Sequence, residues 1–156
     1  MSAGSTGVRV CVEPPSEADV DVVHAFLRDS YWSPGISREV VARGCANSLC
    51  AIARAESDGH EALIGFARLV TDRASFAWLC DVFVLPAWQG RGIARSLVRT
   101  LRAHPELQGL RRWLLATRDA HGVYAPLGFA PLAAPERWLE IAVLPSGSAA
   151  QDSARR

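Results

Sequence analysis

The sequence predicts a single α/β domain: a mixed, mostly antiparallel sheet of six or seven strands with helices on both faces. Three observations carry that prediction. The chain has 156 residues, 49% of them hydrophobic and 21% charged, which suits one soluble core, and nothing in the composition suggests a second domain. Three β-patterned stretches between residues 49 and 85 follow one another through short turns, as a meander does. Residues 79 to 116 then read strand, glycine loop, helix, strand, a crossing that demands one parallel pair.

Residues 1–7 are small and polar and are expected to be flexible, ahead of a domain spanning 8–144. Val8, Val10 and Val12 alternate with polar neighbours as a first strand, closed by Pro14-Pro15. Ser16-x-x-Asp19 has the form of a capping box with Asp in place of Glu, and Val20, Val23 and Leu27 mark one face of a helix reaching about Ser30. The break Tyr31-Trp32-Ser33-Pro34-Gly35-Ile36 precedes a second helix, capped by Ser37 and running through Val40, Val41 and Cys45 to about Asn47. Strands are predicted over Leu49 to Ala55, Ala62 to Val70 and Phe76 to Leu85, with tight connections at Asp58-Gly59 and Thr71 to Ser75. A helix from Gly92 to about His104 is followed by a loop with Pro105 and Gly109, then a strand from Arg112 to Ala116. Thr117 to Leu127 is a short helical stretch that Gly128-Phe129 ends, and Trp138 to Leu144 is a final strand with Leu139, Ile141 and Val143 on one face. Residues 145–156 form a polar tail expected to be flexible.

Composition narrows the partners. A net charge of +1 predicts no broad basic surface, so nucleic acid is not an expected partner. All 17 basic residues are arginine. Cys11, Cys45, Cys50 and Cys80 lack C-x-x-C spacing and read as reduced core residues, with no metal site expected. The N-terminus has neither a charged start nor a long apolar stretch, and no apolar run approaches the roughly 20 residues of a membrane span. A cytoplasmic protein without membrane attachment is the expectation.

Leu79 to Leu101 organises the chain. The loop Gln89-Gly90-Arg91-Gly92 opens a helix marked by Ile93, Leu97 and Leu101. Backbone N–H groups in a first helical turn lack intrahelical partners and sit at the positive end of the macrodipole, and the two glycines let a bulky oxyanion approach. A diphosphate is the natural guest. A Walker loop would end in Gly-Lys-Ser/Thr, and a dinucleotide fingerprint would carry a third glycine where Arg95 stands.

The spacing Gln89-x-x-Gly92-x-Ala94 resembles the acyl-CoA loop of the GCN5-related N-acetyltransferase (GNAT) family, written Arg/Gln-x-x-Gly-x-Gly/Ala. Farther on, Thr117-x-x-Ala120-x-x-Val123-Tyr124-Ala125-Pro126-Leu127-Gly128-Phe129 resembles the family's Asn-x-x-Ala-x-x-Phe/Leu-Tyr-x-x-x-Gly-Phe. Thr117 stands where the family has Asn, which leaves one side-chain contact to CoA open. Pro126 sits where the helix would continue, and is expected to shorten or bend it.

The resemblance implies a sheet splayed between its fourth and fifth strands, acetyl-CoA as cosubstrate and an acceptor amine, with no metal. It implies a cosubstrate site formed by Gln89, Gly90, Arg91, Gly92, Ile93, Ala94, Arg95 and Thr117, with the pantetheine arm along Val82, Phe83 and Val84 at a strand bulge. Tyr124 matches the tyrosine that protonates the leaving thiolate, with ring packing as the alternative. Tyr31 and Trp32 either plug the core or touch the acceptor.

Asp81 stands out without the family. A carboxylate in an apolar strand forfeits hydration worth several kcal/mol unless paired. Either it binds the acceptor ammonium and takes its proton, or it is a structural ion pair with Arg68, Arg73 or Arg118; His121 is the second candidate base. The expected activity is acetyl transfer to a primary amine of a small molecule in a ternary complex. A protein N-terminal or lysine acetyltransferase and a non-catalytic acyl-CoA sensor are the alternatives, and the oligomeric state is open, a homodimer included.

Overall fold

The computed structural model describes residues 7–143. The flexible segments expected over residues 1–7 and 145–156 fall outside these, Gly7 excepted, as does Leu144.

Five strands form one sheet in the order β1 (Val8–Val12), β2 (Leu49–Ser57), β3 (His60–Thr71), β4 (Phe76–Val84) and β5 (Arg112–Leu115). The first four pair antiparallel and β5 runs parallel to β4. β2 and β3 run to a two-residue turn at Asp58-Gly59, whose φ values of 52° and 78° are those of a tight hairpin that right-twisted strands favour. Asp72 builds the next turn, its carboxylate accepting from the amides of Ala74, Ser75 and Phe76.

Two helices cover one face. The capping box starts α1 (Glu17–Leu27): Ser16 Oγ accepts from Asp19 N at 3.1 Å and Asp19 Oδ2 from Ser16 N at 2.9 Å. Ser37 caps α2 (Arg38–Ala46). Val20, Val23, Leu27, Val41 and Cys45 bury against Ile52, Phe66 and Phe83 of the sheet. Asp19 is 5% exposed and takes both Arg54 Nη atoms at 3.0 and 2.7 Å, while Arg54 Nε reaches Glu13 at 2.6 Å. That network binds α1 to β2.

On the other face lies α3 (Ile93–Arg102), with Ile93, Leu97, Val98 and Leu101 buried. The sheet meets it with small residues, Ala51, Ala53, Ala67 and Ala77, and with Gly65, where a Cβ would sit 3.2 Å from Ile93 and 3.3 Å from Leu97. Such a surface lets the helix axis come close.

β4 changes phase partway. Ala77 and Leu79 belong to the core under α3, whereas Phe83, four residues beyond Leu79, belongs to the core under α1 and stacks on Phe26 at 4.0 Å. The pairing explains it: Phe66 faces Phe83 but Arg68 faces Cys80, so Ala67 on β3 is opposed by both Asp81 and Val82. Asp81 is the bulged residue, with φ 52°.

Two expectations need correction. Among the described residues the sheet has five strands, not six or seven, because Trp138 to Val143 pairs with nothing and has no regular structure. Alternation fixes which side chains share a face but supplies no partner strand. The helix around Tyr124 is a single turn, α4 (His121–Tyr124), with Pro126 confined to a following 3₁₀ turn, the shortening that proline imposes.

Candidate active site

β4 and β5 pair from Phe76–Arg112 to Leu79–Leu115, and there the pairing stops. β4 continues through the bulge to Val84, while the chain leaves β5 into Thr117 and α4. Among the described residues no strand bonds to Cys80 to Val84 on that side, and they border a gap. Two cavities open at it.

The first, about 470 Å³, lies between the end of β4 and the start of α3. Val82, Phe83 and Val84 form one wall, and Gln89, Gly90, Gly92, Ile93, Ala94 and Arg95 the other. Gly90 and Gly92 have φ of 78° and 76°, a conformation side chains resist, and a Cβ at either would meet no atom within 4 Å. The backbone there is open to a close-lying group. Gln89 Nε2 donates to the Val84 carbonyl at 3.0 Å, so this side chain ties the loop to β4.

Arg91 and Thr117 do not line that cavity. The Arg91 guanidinium lies over Trp88, 4.7 Å from the ring centre. Thr117 Oγ1 accepts from Ala120 N at 3.0 Å and faces the second cavity. Trp88, absent from the sequence-based site, lines the first cavity; its place next to Gln89 was the available signal.

The second cavity, about 590 Å³, is walled by Tyr31, Trp32, Trp78, Arg68, Asp81 and Arg118 among others. Tyr31 and Trp32 are 47% and 40% exposed, which removes the core-plug alternative. Arg118 Cζ sits 3.7 Å from the Tyr31 ring centre, and Arg118 N donates to the Tyr31 hydroxyl at 3.4 Å. Trp32 Nε1 donates to Asp81 Oδ1 at 3.1 Å. The loop before α2 is therefore tied to both lips of the gap.

Arg68 Nε donates to Asp81 Oδ2 at 2.8 Å and its Nη1 to Ser48 Oγ at 3.1 Å. Of the three candidate partners for Asp81, Arg68 is the one that pairs; Arg73 pairs with Glu106 and Arg118 with Asp119. The Asp81 side chain is 9% exposed, so the pair is largely desolvated. Its carboxylate keeps lone pairs beyond the two engaged.

Tyr124 lines both cavities, as do Val82 and Ala120. Burial, with a smaller contribution from Tyr31, pushes its phenol up to about 12. It is a neutral donor throughout the physiological range. His121 is exposed and lines neither cavity. Cys80 lines the second cavity, a placement its apolar strand pattern did not signal, and burial pushes its thiol up to about 12. All four cysteines are free thiols, and the described residues contain no cluster of three metal-binding side chains. Among the described residues no helix is long and apolar enough to cross a membrane.

A mixed sheet parted at a bulge, with a glycine-rich helix entrance on one side of the gap and an aromatic, charged cavity on the other, has the architecture of an acyltransferase domain. Comparison with known proteins agrees. Residues 19–129 match the acetyltransferase (GNAT) family. A crystal structure of a Xanthomonas campestris pv. campestris protein assigned as a GNAT-family acetyltransferase is 42% identical, with TM-score 0.76 over 86% of this chain and 94% of that one. A Gibberella zeae protein named as a candidate acetyltransferase is 41% identical over 59 residues, a match spanning 36% of this chain and 32% of the relative. A Clostridium acetobutylicum protein assigned as an acetyltransferase and solved with acetyl-CoA shares the fold, with TM-score 0.62 at 15% identity over 87% of this chain and 96% of that one. The chain belongs to the GNAT acetyltransferase family, a class of acyl-CoA-dependent acyltransferases.

Proposed function

We propose that this chain transfers the acetyl group of acetyl-CoA to a primary amine of a small molecule, directly and within a ternary complex. One observation carries the reading: the two cavities meet at Tyr124 and Val82, so a thioester entering from the α3 side and an amine entering from the Asp81 side can reach the same atoms.

Each residue has a physical part. The first-turn amides of α3 and the open backbone at Gly90 and Gly92 receive the diphosphate. Arg95 meets phosphate oxygens from the same cavity wall, and Arg91 lies close by at the loop. Val82 to Val84, unpaired toward the gap, offer main-chain groups to the pantetheine amides and an N–H to the thioester carbonyl. Thr117 contacts the acceptor side instead of CoA, in keeping with the cavity it lines.

Asp81, oriented by its ion pair with Arg68, attracts the acceptor ammonium and takes its proton, directly or through water. The neutral nitrogen then attacks the thioester carbon, the C–S bond breaks, and the sulfur receives the Tyr124 proton. The amide nitrogen's surplus proton restores the phenol. The products are an N-substituted acetamide and CoA thiol. Cys80, the cavity thiol, is protonated at neutral pH and a poor nucleophile, which supports direct transfer over an acyl-enzyme. Tyr31, Trp32 and Trp78 suit a small acceptor with an apolar or aromatic body.

The test is thiol release with acetyl-CoA across a panel of small amines and free peptide N-termini. Tyr124→Phe is expected to lower kcat by about 10²–10⁴-fold with little change in the KM for acetyl-CoA, and Asp81→Asn to act chiefly through the acceptor. Undiminished turnover in both variants sinks the mechanism; peptides outrunning every small amine sink the acceptor class.

A further inference from the structure

The cavity beside Asp81 holds two opposite charges that their own contacts leave available to a ligand. Its charged lining consists of Arg68, Asp81, Arg118 and Asp119. Arg68 is committed to the protein, through Nε to Asp81 at 2.8 Å and Nη1 to Ser48 at 3.1 Å. Asp81 accepts one donor on each oxygen, from Trp32 and from Arg68, and keeps lone pairs for an ammonium.

Arg118 is held in another way. Its Cζ lies over the Tyr31 ring, 3.7 Å from the centre. Guanidinium N–H groups lie in the guanidinium plane, so a ring on its face occupies none of the donors. Among the described residues its side chain makes one hydrogen bond, from Nη2 to Asp119 Oδ2 at 3.5 Å, and both side chains of that pair are 64% exposed. A pair so long and so wet contributes little, and Asp119 returns to water at small cost. Aromatic packing thus places the guanidinium and leaves its donor edge open.

Consecutive residues of one loop set the spacing between the two charges. Tyr31 carries Arg118, Trp32 donates to Asp81, and the two rings meet edge to face at 5.1 Å. With Trp78 they give the cavity an aromatic wall beside its charges, in a volume of about 590 Å³. That space suits a molecule the size of a free amino acid.

We propose that the acceptor is an amino carboxylate with an apolar or aromatic body, its ammonium on Asp81 and its carboxylate on the Arg118 edge. The inference rests on the acetyl-transfer reading of this cavity and names the acceptor class within it. A plain amine satisfies Asp81 and leaves Arg118 to water. A diamine sets a second cation against Arg118, and a peptide puts a neutral amide where the carboxylate belongs. Acetylation turns the ammonium into a neutral amide, so the product keeps its contact with Arg118 and loses the one with Asp81. Release follows from the reaction itself.

Titration calorimetry with saturating CoA reads the acceptor site without turnover, and thiol release with acetyl-CoA reads it in action. The probes are phenylalanine and β-phenylalanine, which differ by one carbon between the charges. Each is compared with its amino alcohol, which keeps the ammonium and the ring and lacks the carboxylate. At least one acid should bind about 10- to 100-fold tighter than its alcohol. Arg118→Gln should erase that ratio by weakening the acid, and Arg118→Lys, which keeps the charge without the planar fork, should restore part of it. Acids that bind no tighter than their alcohols overturn the proposal, whether or not amines are acetylated. So does an Arg118→Gln variant that weakens acid and alcohol alike, which would make Arg118 only a brace for Tyr31. Acid-selective binding that Arg118→Gln abolishes, with no thiol release for any amine, would uphold this acceptor site and sink the acetyl-transfer reading instead.

Discussion

At the scale of the residue, Tyr124 and Asp81 are set to opposite tasks by their surroundings. Burial raises the folded-state phenol of Tyr124 from 10.0 to about 12, so the group holds its proton across the working range. If it is the acid, kcat should rise as the acceptor amine deprotonates and show no descending limb below about pH 10. A fall between pH 7 and 9 in the native enzyme, absent in Tyr124→Phe, would contradict that. The same shift enters stability with a definite sign. Its contribution is complete below pH 10.0 and is lost as pH rises through about 12, because the unfolded phenol ionises first. Asp81 instead is oriented by Arg68 at 2.8 Å and by the Trp32 indole at 3.1 Å. The sequence flagged Asp81 because a charge stood in an apolar strand, and it offered three arginines as partners. Choosing among them required knowing that the strands shift register between Phe66 and Arg68, which no local pattern encodes. Trp32, 49 residues away, was likewise visible as an aromatic and invisible as a donor to Asp81.

At the scale of the element, what was legible followed from local chemistry. Ser16 and Ser37 cap the helices their positions announced, Asp58-Gly59 makes the hairpin, and the strand, glycine loop and helix around residue 90 stand where the apolar spacing put them. The strand expected from Trp138 to Leu144 rests on alternation, which is local, whereas the partner that its described residues 138–143 lack is not. Gly65 shows how an element can control the site from a distance. Its missing Cβ lets Ile93, the first residue of α3, lie against β3. Gly65→Ala forces Ile93 and Leu97 to give by a few tenths of an ångström. We expect a loss of about 1–3 kcal/mol in stability and, because the loop at Gly90 and Gly92 moves with the helix start, weaker acetyl-CoA binding. Calorimetry of unfolding and of binding would check both. A variant that loses stability but keeps its native affinity for acetyl-CoA would uncouple the loop from the packing beneath it.

For the whole molecule, one ionic network decides how the domain meets acid. Glu13 is held below the ordinary carboxylate range by the Arg54 guanidinium. For Asp19, burial pushes upward, but donors from Arg54 and Ser16 outweigh it and hold the carboxyl low. Both contribute stability that is complete above the unfolded values near 4 and is lost as pH falls through the folded ones. Acid unfolding followed by far-ultraviolet circular dichroism should therefore begin below about pH 4. Arg54→Met strands Asp19, 5% exposed, without its cation. It should cost about 3 kcal/mol at neutral pH and move the acid midpoint upward; an unchanged midpoint would show the network to be inert. The bulge at Asp81 has a different reach, into how such a chain can change over generations. Because the extra residue reverses the pleat, Leu79 and Phe83 feed opposite cores. Deleting one residue here would turn Phe83 out of its stack with Phe26 and face Val84 toward α1. Inherited variation at this point is thus confined to exchanges of one amino acid for another. The left-handed φ of 52° narrows even those to the few side chains, Asp, Asn and Gly, that tolerate it.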